Sequence, residues 1–475
     1  MAPPPDVRIE TSDAALPGPP PVAGATTAVP VRDPVPLPRL VAFAGPLFGL
    51  STPFFFVLFY YFKFATDVLG IAPLVFGAIF GIGRVWDAVS DPLAGLLSDR
   101  TRTRFGRRRP WLFAAIPLFA ASVLMCWNPP ATLTGGWLLA WVSAALFLFF
   151  TAFTMYGVPH QALGAELSED YHERSRIFGA RHISFTIGMT GAFGFMHVAS
   201  NADDVRAAVS TLAIMTVIAA SLLLLVPPLL VPERANYMGR GGASPMQTLR
   251  DVIRNPHARL LIAVWFIESM GIGILGILSP YQIEYVLMRK DMTAVLPAAF
   301  VATLVLSVPI WVWISRKIGK RDAWRSAMVL GGIGFGATFF AGPGDIAFMA
   351  VTLVVAGFAF GCGGAVGPSI LADVIDYDEY ETGERKEGAY SSAQGLALKL
   401  ANAAIIGIAG AVLEFSGFVP NIEQTESTKL ILQGVYAGLP FTMLLLAAFV
   451  FRKFTLTAAE HARIRAGLDE RAVTA

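Results

Sequence analysis

Two aspartates four residues apart, Asp87 and Asp91, lie in the apolar segment "GRVWDAVSDPLAG" with Arg84 and Ser90. At 100° per residue a helix carries positions 84, 87 and 91 on one face, with Ser90 beside the two acids. A carboxylate at the bilayer centre costs roughly 2.5–3.5 kcal/mol. Two on adjacent turns cannot both stay ionised in low dielectric without a cation between them or a proton on one. Hard oxygen ligands of this kind suit a small alkali cation such as Na+, held by Asp87 and Asp91. No imidazole or thiolate stands near to suggest a transition metal. A plainer arrangement uses the same residues as a structural Arg84–Asp87 ion pair, with Asp91 at the lipid end of the helix. It accounts for one carboxylate and explains the second poorly.

Other ionisable groups fall inside apolar runs: Arg181, Glu268 and Lys399, with His182 and His197 nearby. Lys399, in "AQGLALKLANAA", is too deep to snorkel to an interface, so a carboxylate or a wet cavity must face it. Arg181 fits a polar solute or a helix–helix lock equally well. Glu268 reads as a structural residue ahead of a proton site, and isolated histidines more often pack than carry protons.

The elements that position these groups are transmembrane helices. The 475 residues are 55% hydrophobic and 15% charged, with a mean hydropathy of +0.59. Soluble domains carry roughly a quarter charged residues. A net charge of +2 gives no support to nucleic-acid binding. Cys126 and Cys362 read as buried thiols, not a disulfide or zinc framework. Twelve runs approach the ~20 residues needed to cross hydrocarbon, from 41–66 to 430–451, the third (111–127) and ninth (326–341) being short. Turns after even-numbered spans hold twenty Lys and Arg and those after odd-numbered spans four. By the positive-inside rule both termini are expected to be cytoplasmic. Residues 1–40 hold eleven prolines and read as a disordered tail. Two six-helix bundles are expected at 41–231 and 260–451, joined by a cytoplasmic loop at 232–259 and followed by a tail at 452–475. The glycine-bearing basic turns "LSDRTRTRFGRRRPW" and "ISRKIGKRDAW" recur at matching places in the halves, as in carriers that rock around a midplane site.

The segments "YYFKFATDVLG", "GRVWDAVSDPLAG", "SDRTRTRFGRRRPW", "VPHQALGAELSEDYHERSR" and "ADVIDYDEYETGERKEGAYSSAQGLALK" together resemble the melibiose permease-like glycoside–pentoside–hexuronide:cation symporters of the major facilitator superfamily. The resemblance covers about residues 41–451. It implies an all-α membrane protein, with twelve transmembrane helices in two pseudo-symmetric six-helix bundles. It places the sodium or proton site on Asp87 and Asp91, with Ser90 where the family has an asparagine, and with Thr154 contributing. Lys399 matches a coupling lysine, and Arg181 matches a fifth-span arginine with a one-residue offset. The family's galactoside ligands, two aspartates and a tryptophan, fall on Ser51, Gly157 and Gln161, so the cation half of the mechanism carries over and the solute does not.

The expected function is symport of a sugar or glycoside with Na+ or H+ across the plasma (inner) membrane, without a cofactor or an obligatory protein partner. An exporter or antiporter of an amphipathic compound is the alternative, and a non-transporting sensor a third class. No nucleophile–base constellation or phosphate loop suggests an enzyme. A cytoplasmic gate is expected between Arg100, Arg102 and Arg107 of the basic turn and Asp376 and Asp378 of an acidic loop before the eleventh span. These groups would pair across the halves when the cavity opens outward.

Overall fold

The computed structural model describes residues 34–168, 171–231, 233, 250, 252–384 and 386–474. The tail expected at 1–40, up to residue 33, and most of the loop expected at 232–259 lie outside the described residues. Among the described residues the regular structure is helical, with one isolated bridge between Thr103 and Gly106.

Twelve helical segments pack side by side. The first runs Leu37–Ala44, breaks at Gly45–Pro46, resumes as Leu47–Lys63 and ends in a π turn, Phe64–Val68. The break follows from Pro46, which has no N–H to continue the ladder. The next five are Pro73–Arg100, Arg109–Trp127, Gly135–Glu166, Tyr171–Asn201 and Val205–Leu224. The seventh, Pro256–Tyr281, starts under an Asn255 cap and ends in a second π turn, Gln282–Val286. Val295–Ile318, Lys320–Ala337, Ile346–Thr382, Glu387–Phe415 and Glu426–Phe451 complete the set.

Eleven of these are long and apolar enough to cross a membrane. The ninth, Lys320–Ala337, falls short because Lys320, Arg321, Asp322 and Arg325 occupy its first turns. It nevertheless packs between the tenth and twelfth spans, and its buried face of Ala323, Trp324, Ala327 and Met328 supplies the apolar stripe that such a position needs.

Two boundaries differ from the sequence expectation. The tenth span does not end at residue 372. It continues to Thr382, where Gly383 at φ 73° terminates it, because no glycine or proline intervenes after Pro368. Asp373, Asp376 and Asp378 therefore lie on a helix, not in a loop. The tail expected at 452–475 contains a further helix, Ala458–Thr474. His461 and Arg465 on that helix reach Asp376 at 2.9 and 3.6 Å.

The second, fourth, sixth, eighth and tenth spans end at the face bearing the arginine turn, here the basic face. At the opposite, far face the halves meet closely. A Cβ on Gly77 would lie 3.1 Å from Gly410 Cα, and one on Gly410 would lie 2.6 Å from the Pro73 carbonyl oxygen. Small residues let helix backbones approach to this degree in membranes. One buried core continues across both halves at this end, while a second, smaller core occupies the second half toward the basic face.

Candidate functional site

Midway along the second span, the chemistry expected from Asp87 and Asp91 is gathered in one cluster. Lys399 crosses from the eleventh span and places its Nζ 2.6 Å from Asp91 Oδ2 and 3.0 Å from Asp87 Oδ2. It also donates to the Asp87 carbonyl at 3.1 Å. On the other side of Asp87, Arg84 Nη1 donates to Oδ2 at 2.8 Å. The Arg84 guanidinium lies 5.3 Å from the Phe150 ring and 5.7 Å from that of Phe54, aromatic faces that favour a buried cation. Thr154, from the fourth span, donates to Asp91 Oδ1 at 2.9 Å and lies 3.3 Å from Asp87 Oδ1. Ser90 Oγ lies 3.1 Å from Thr154 Oγ1.

Two carboxylates and two cationic side chains thus balance, in a setting that is dehydrated at Asp87, 1% exposed, and open at Asp91, 37% exposed. Four carboxylate oxygens and two hydroxyls converge from two helices, a donor set that fits a small hard cation. The ammonium of Lys399 uses the same carboxylate oxygens such an ion would use. The Arg84–Asp87 pair of the plainer arrangement is also present, but Asp91 is engaged by Lys399 and Thr154 instead of marking the lipid end of its helix.

The remaining expected residues divide. Gly157 and Gln161 share a helical face with Thr154 and continue it toward the basic face. A Cβ on Gly157 would meet nothing within 4 Å, and Gln161 is exposed. Arg181 makes no hydrogen bond or ion pair with a described residue, and its Nε is buried without a partner. Ser51 is different. It is fully buried, donates to the Leu47 carbonyl at 2.7 Å and abuts Gly188 of the fifth span. Its hydroxyl fills a helix seam and does not face the space beside Gly157.

On the basic face two of the expected gate groups, Arg107 and Asp376, are engaged within their own halves in this conformation. Arg107 and Arg108 pair with Glu166, and Glu233 accepts the backbone N–H groups of Arg107, Arg108 and Arg109. Arg100 and Arg102 are exposed. Asp376 meets His461 and Arg465, and Asp378 is buried on the tenth span.

The far face carries a cluster that sequence reading missed. Lys63 pairs with Asp67 and, across the halves, with Glu284 at 3.1 Å. Tyr285 donates to Asp67 Oδ2 at 2.7 Å, and the Thr66 and Tyr281 hydroxyls lie 2.6 Å apart. Asn421 Nδ2 donates to the Asp67 carbonyl at 2.8 Å. The two π turns are in register. Leu69 bonds to Phe64 and Ile71 to Ala65, as Leu287 bonds to Gln282 and Arg289 to Ile283. Each turn closes on a left-handed residue, Gly70 (φ 67°) and Met288 (φ 58°). In that register Lys63 corresponds to Tyr281, Thr66 to Glu284 and Asp67 to Tyr285. Lys63–Glu284 and Thr66–Tyr281 are then one contact repeated under exchange of halves, and Asp67–Tyr285 is its own counterpart. This is the pattern of a two-fold interface. The shared "VL" of "ATDVLG" and "IEYVLM" was the available signal.

Between this cluster and Lys399 lies a cavity of about 270 Å³ lined from both halves, with Phe59, Phe193, Phe300 and Ile406 on its walls and Asn402 and Tyr436 as polar members.

Comparison with known proteins bears on this geometry. The putative glycoside/cation symporter of Escherichia coli strain K12 is 27% identical, over 80% of this chain and 85% of its own. The isoprimeverose transporter of Lactiplantibacillus pentosus is 26% identical over 83% of each. A solved D-xylose–proton symporter superposes with a TM-score of 0.63 at 16% identity, covering 88% of this chain and 97% of its own, a likeness of fold. The model of one family matches residues 44–458, from within the first span to beyond the twelfth, and on that match the chain belongs to the MFS/sugar transport protein family.

Proposed function

We propose that the chain is a cation-coupled symporter of a sugar or glycoside, working by alternating access in the plasma membrane with its basic face cytoplasmic. The observation that carries this reading is the Lys399 ammonium shared between Asp87 and Asp91. A cation site and an inter-half tie there use the same oxygens, so ion binding and helix movement cannot be independent. Twenty Lys and Arg against four in the alternating turns support the orientation. With the basic face inside, contacts concentrated at the far face make this an inward-facing conformation.

Asp87, Asp91, Ser90 and Thr154 hold the ion. Arg181, with no hydrogen bond or ion pair to a described residue, and the open face at Gly157 and Gln161 receive the solute. The similarity to the isoprimeverose transporter and the glycoside/cation symporter supports a sugar-derived solute. Ser90 supplies a shorter oxygen arm than the asparagine of the resembling family, which favours protons over sodium as the coupling ion. When the carrier opens outward, Asp376 exchanges His461 and Arg465, and Asp378 its setting on the tenth span, for arginines of the 99–109 turn. Coupling to one charge at 100 mV contributes about 2.3 kcal/mol, roughly forty-fold in accumulation.

A second reading rests on the apolar cavity at Phe59, Phe193 and Phe300, which favours a solute with an apolar part. Counterflow of labelled monosaccharides, disaccharides and alkyl glycosides in proteoliposomes, with and without a sodium gradient at fixed pH, separates the two. Exchange of an unsubstituted sugar supports the first reading. Exchange of alkyl glycosides alone supports the second, and no exchange of any of them refutes both.

A further inference from the structure

The transport scheme leaves one membrane carboxylate unused. Glu268 sits about 18 Å along the seventh span from its basic-face end, taking 1.5 Å per residue, and is 7% exposed. That is close to the depth of Asp87 and Lys399, but in the second half's own interior. Its recorded partner is neutral: the Trp324 indole N–H from the ninth span, 3.4 Å from Oε1. The tenth span presents Gly363, where a Cβ would lie 3.4 and 3.8 Å from the two carboxyl oxygens, and the thiol of Cys362, the titratable group that faces it.

Apart from Arg39, exposed at the basic-face end of the first span, the cations on the spans packed against the seventh are committed elsewhere. Lys63 on the first is held by Asp67 and Glu284, and Lys399 on the eleventh by Asp87 and Asp91. Lys429 on the twelfth is held by Glu423 and Glu426. On the ninth, Lys320 meets Asp373 while Arg321 and Arg325 meet Asp322. His257, at the start of the seventh span itself, lies edge-on to the Tyr377 ring. Among the described residues no Lys, Arg or His comes within ion-pair distance of Glu268.

A carboxylate stripped of water and given no counter-charge is far more costly than a neutral acid making the same hydrogen bond. The structure therefore assigns Glu268 as a second proton-binding site, in the second half and separate from the carboxylate pair of the second span. In this conformation the acid keeps its proton, and Trp324 donates to the carbonyl-type oxygen. Release is a transfer to water, leaving carboxylate and hydronium. It requires the seventh, ninth and tenth spans to part enough to admit that water. The site rests on the transport reading only for its use, not for its existence, and the proton is its ligand whichever ion occupies Asp87 and Asp91.

The test needs no solute. Infrared spectra of the full chain in lipid, in D2O and stepped through pH, should show a neutral carboxylic C=O band at neutral pH that is missing from Glu268→Gln. Trp324→Phe should keep the band and move its frequency, because one hydrogen bond is lost. Thermal unfolding gives a second readout. A proton held in the fold and released on unfolding makes stability fall as pH rises, by up to tenfold in the unfolding constant per pH unit, and Glu268→Gln should remove that slope. If Glu268→Gln fails to fold, the Trp324→Phe band shift carries the test. Identical spectra for wild type and both variants, or an unaltered pH slope in a folded Glu268→Gln, overturns the site and leaves the symport proposal standing.

Discussion

Removing one oxygen atom from the far-face cluster should move the whole carrier. Tyr285 donates to Asp67 across the halves at 2.7 Å and accepts the Asn421 N–H within its own half at 3.2 Å, so Tyr285→Phe deletes one cross-half contact and one local one while keeping the ring that lies 4.7 Å from the Lys63 ammonium. A hydrogen bond to a charged group contributes about 1.5–3 kcal/mol and a neutral one about 1 kcal/mol. Asp67 keeps Lys63 and Thr66 as partners, which holds the loss nearer the lower end, about 2 kcal/mol. That shifts a balanced two-state equilibrium roughly thirty-fold toward the far-side-open state. Spin labels at Thr103 and Glu384, both exposed on the basic face, read the change as a shorter inter-label distance. Glu414→Gln is the control, since its contact with the Leu74 N–H is long, at 3.4 Å, and exposed. A folded Tyr285→Phe whose distance distribution matches wild type refutes the idea that this cluster holds the far side shut.

The acids of the second span should separate in stability. Asp87→Asn strands a buried Arg84 and should cost about 3 kcal/mol, seen as earlier thermal unfolding in detergent, whereas the more exposed Asp91→Asn should unfold near wild type; equal losses would count against the geometry. Gly410→Val places side-chain atoms where a Cβ already meets the Pro73 carbonyl oxygen at 2.6 Å. The same label pair should report a population shifted away from this conformation, and an unshifted one would show that the close approach is dispensable. Neutralising Asp376 and Asp378 together removes the acid held by His461 and Arg465. Although a partly exposed pair of this kind contributes only about 1 kcal/mol, trypsin should then cut the Ala458–Thr474 helix faster, and an unchanged rate would leave that helix anchored by other contacts.

The second-span site was legible because carboxylates in an apolar run are anomalous wherever they occur, and the anomaly survives ignorance of the fold. Lys399 was legible for the same reason, although nothing in its own segment says which carboxylate it meets. Lys63, Asp67 and Glu284 escaped notice because charge at the ends of spans is ordinary. Their pairing depends on two π turns, and a change of helical register leaves no mark in hydropathy. Ser51 was assigned by correspondence to a relative's solute ligand, but correspondence fixes the position and not the rotation of the helix about it. The bare backbone of Gly188 opens a seam that the serine hydroxyl fills. The extra turns of the tenth span were hidden because acidic residues read as loop, whereas helix termination depends on a stop signal, here Gly383.

Two lysines therefore tie the halves at different depths, Lys63 at the far face and Lys399 near the midplane, and only the second shares its ligands with the proposed ion. On that proposal a cation settling between Asp87 and Asp91 displaces an ammonium at mid-depth in the membrane, where an unpaired charge is costly. The displaced Lys399 has to find another acceptor. A hydroxyl or carboxylate of the solute supplies one. Ion alone strands the lysine, and solute alone finds the lysine already engaged. The two together leave neither the ion nor the lysine without an acceptor, and a solute carboxylate would also balance the charge. A charge-assisted hydrogen bond of about 1.5–3 kcal/mol then becomes a coupling free energy of the same size, about ten- to a hundred-fold in the affinity of each ligand given the other, and by linkage the factor is the same in both directions.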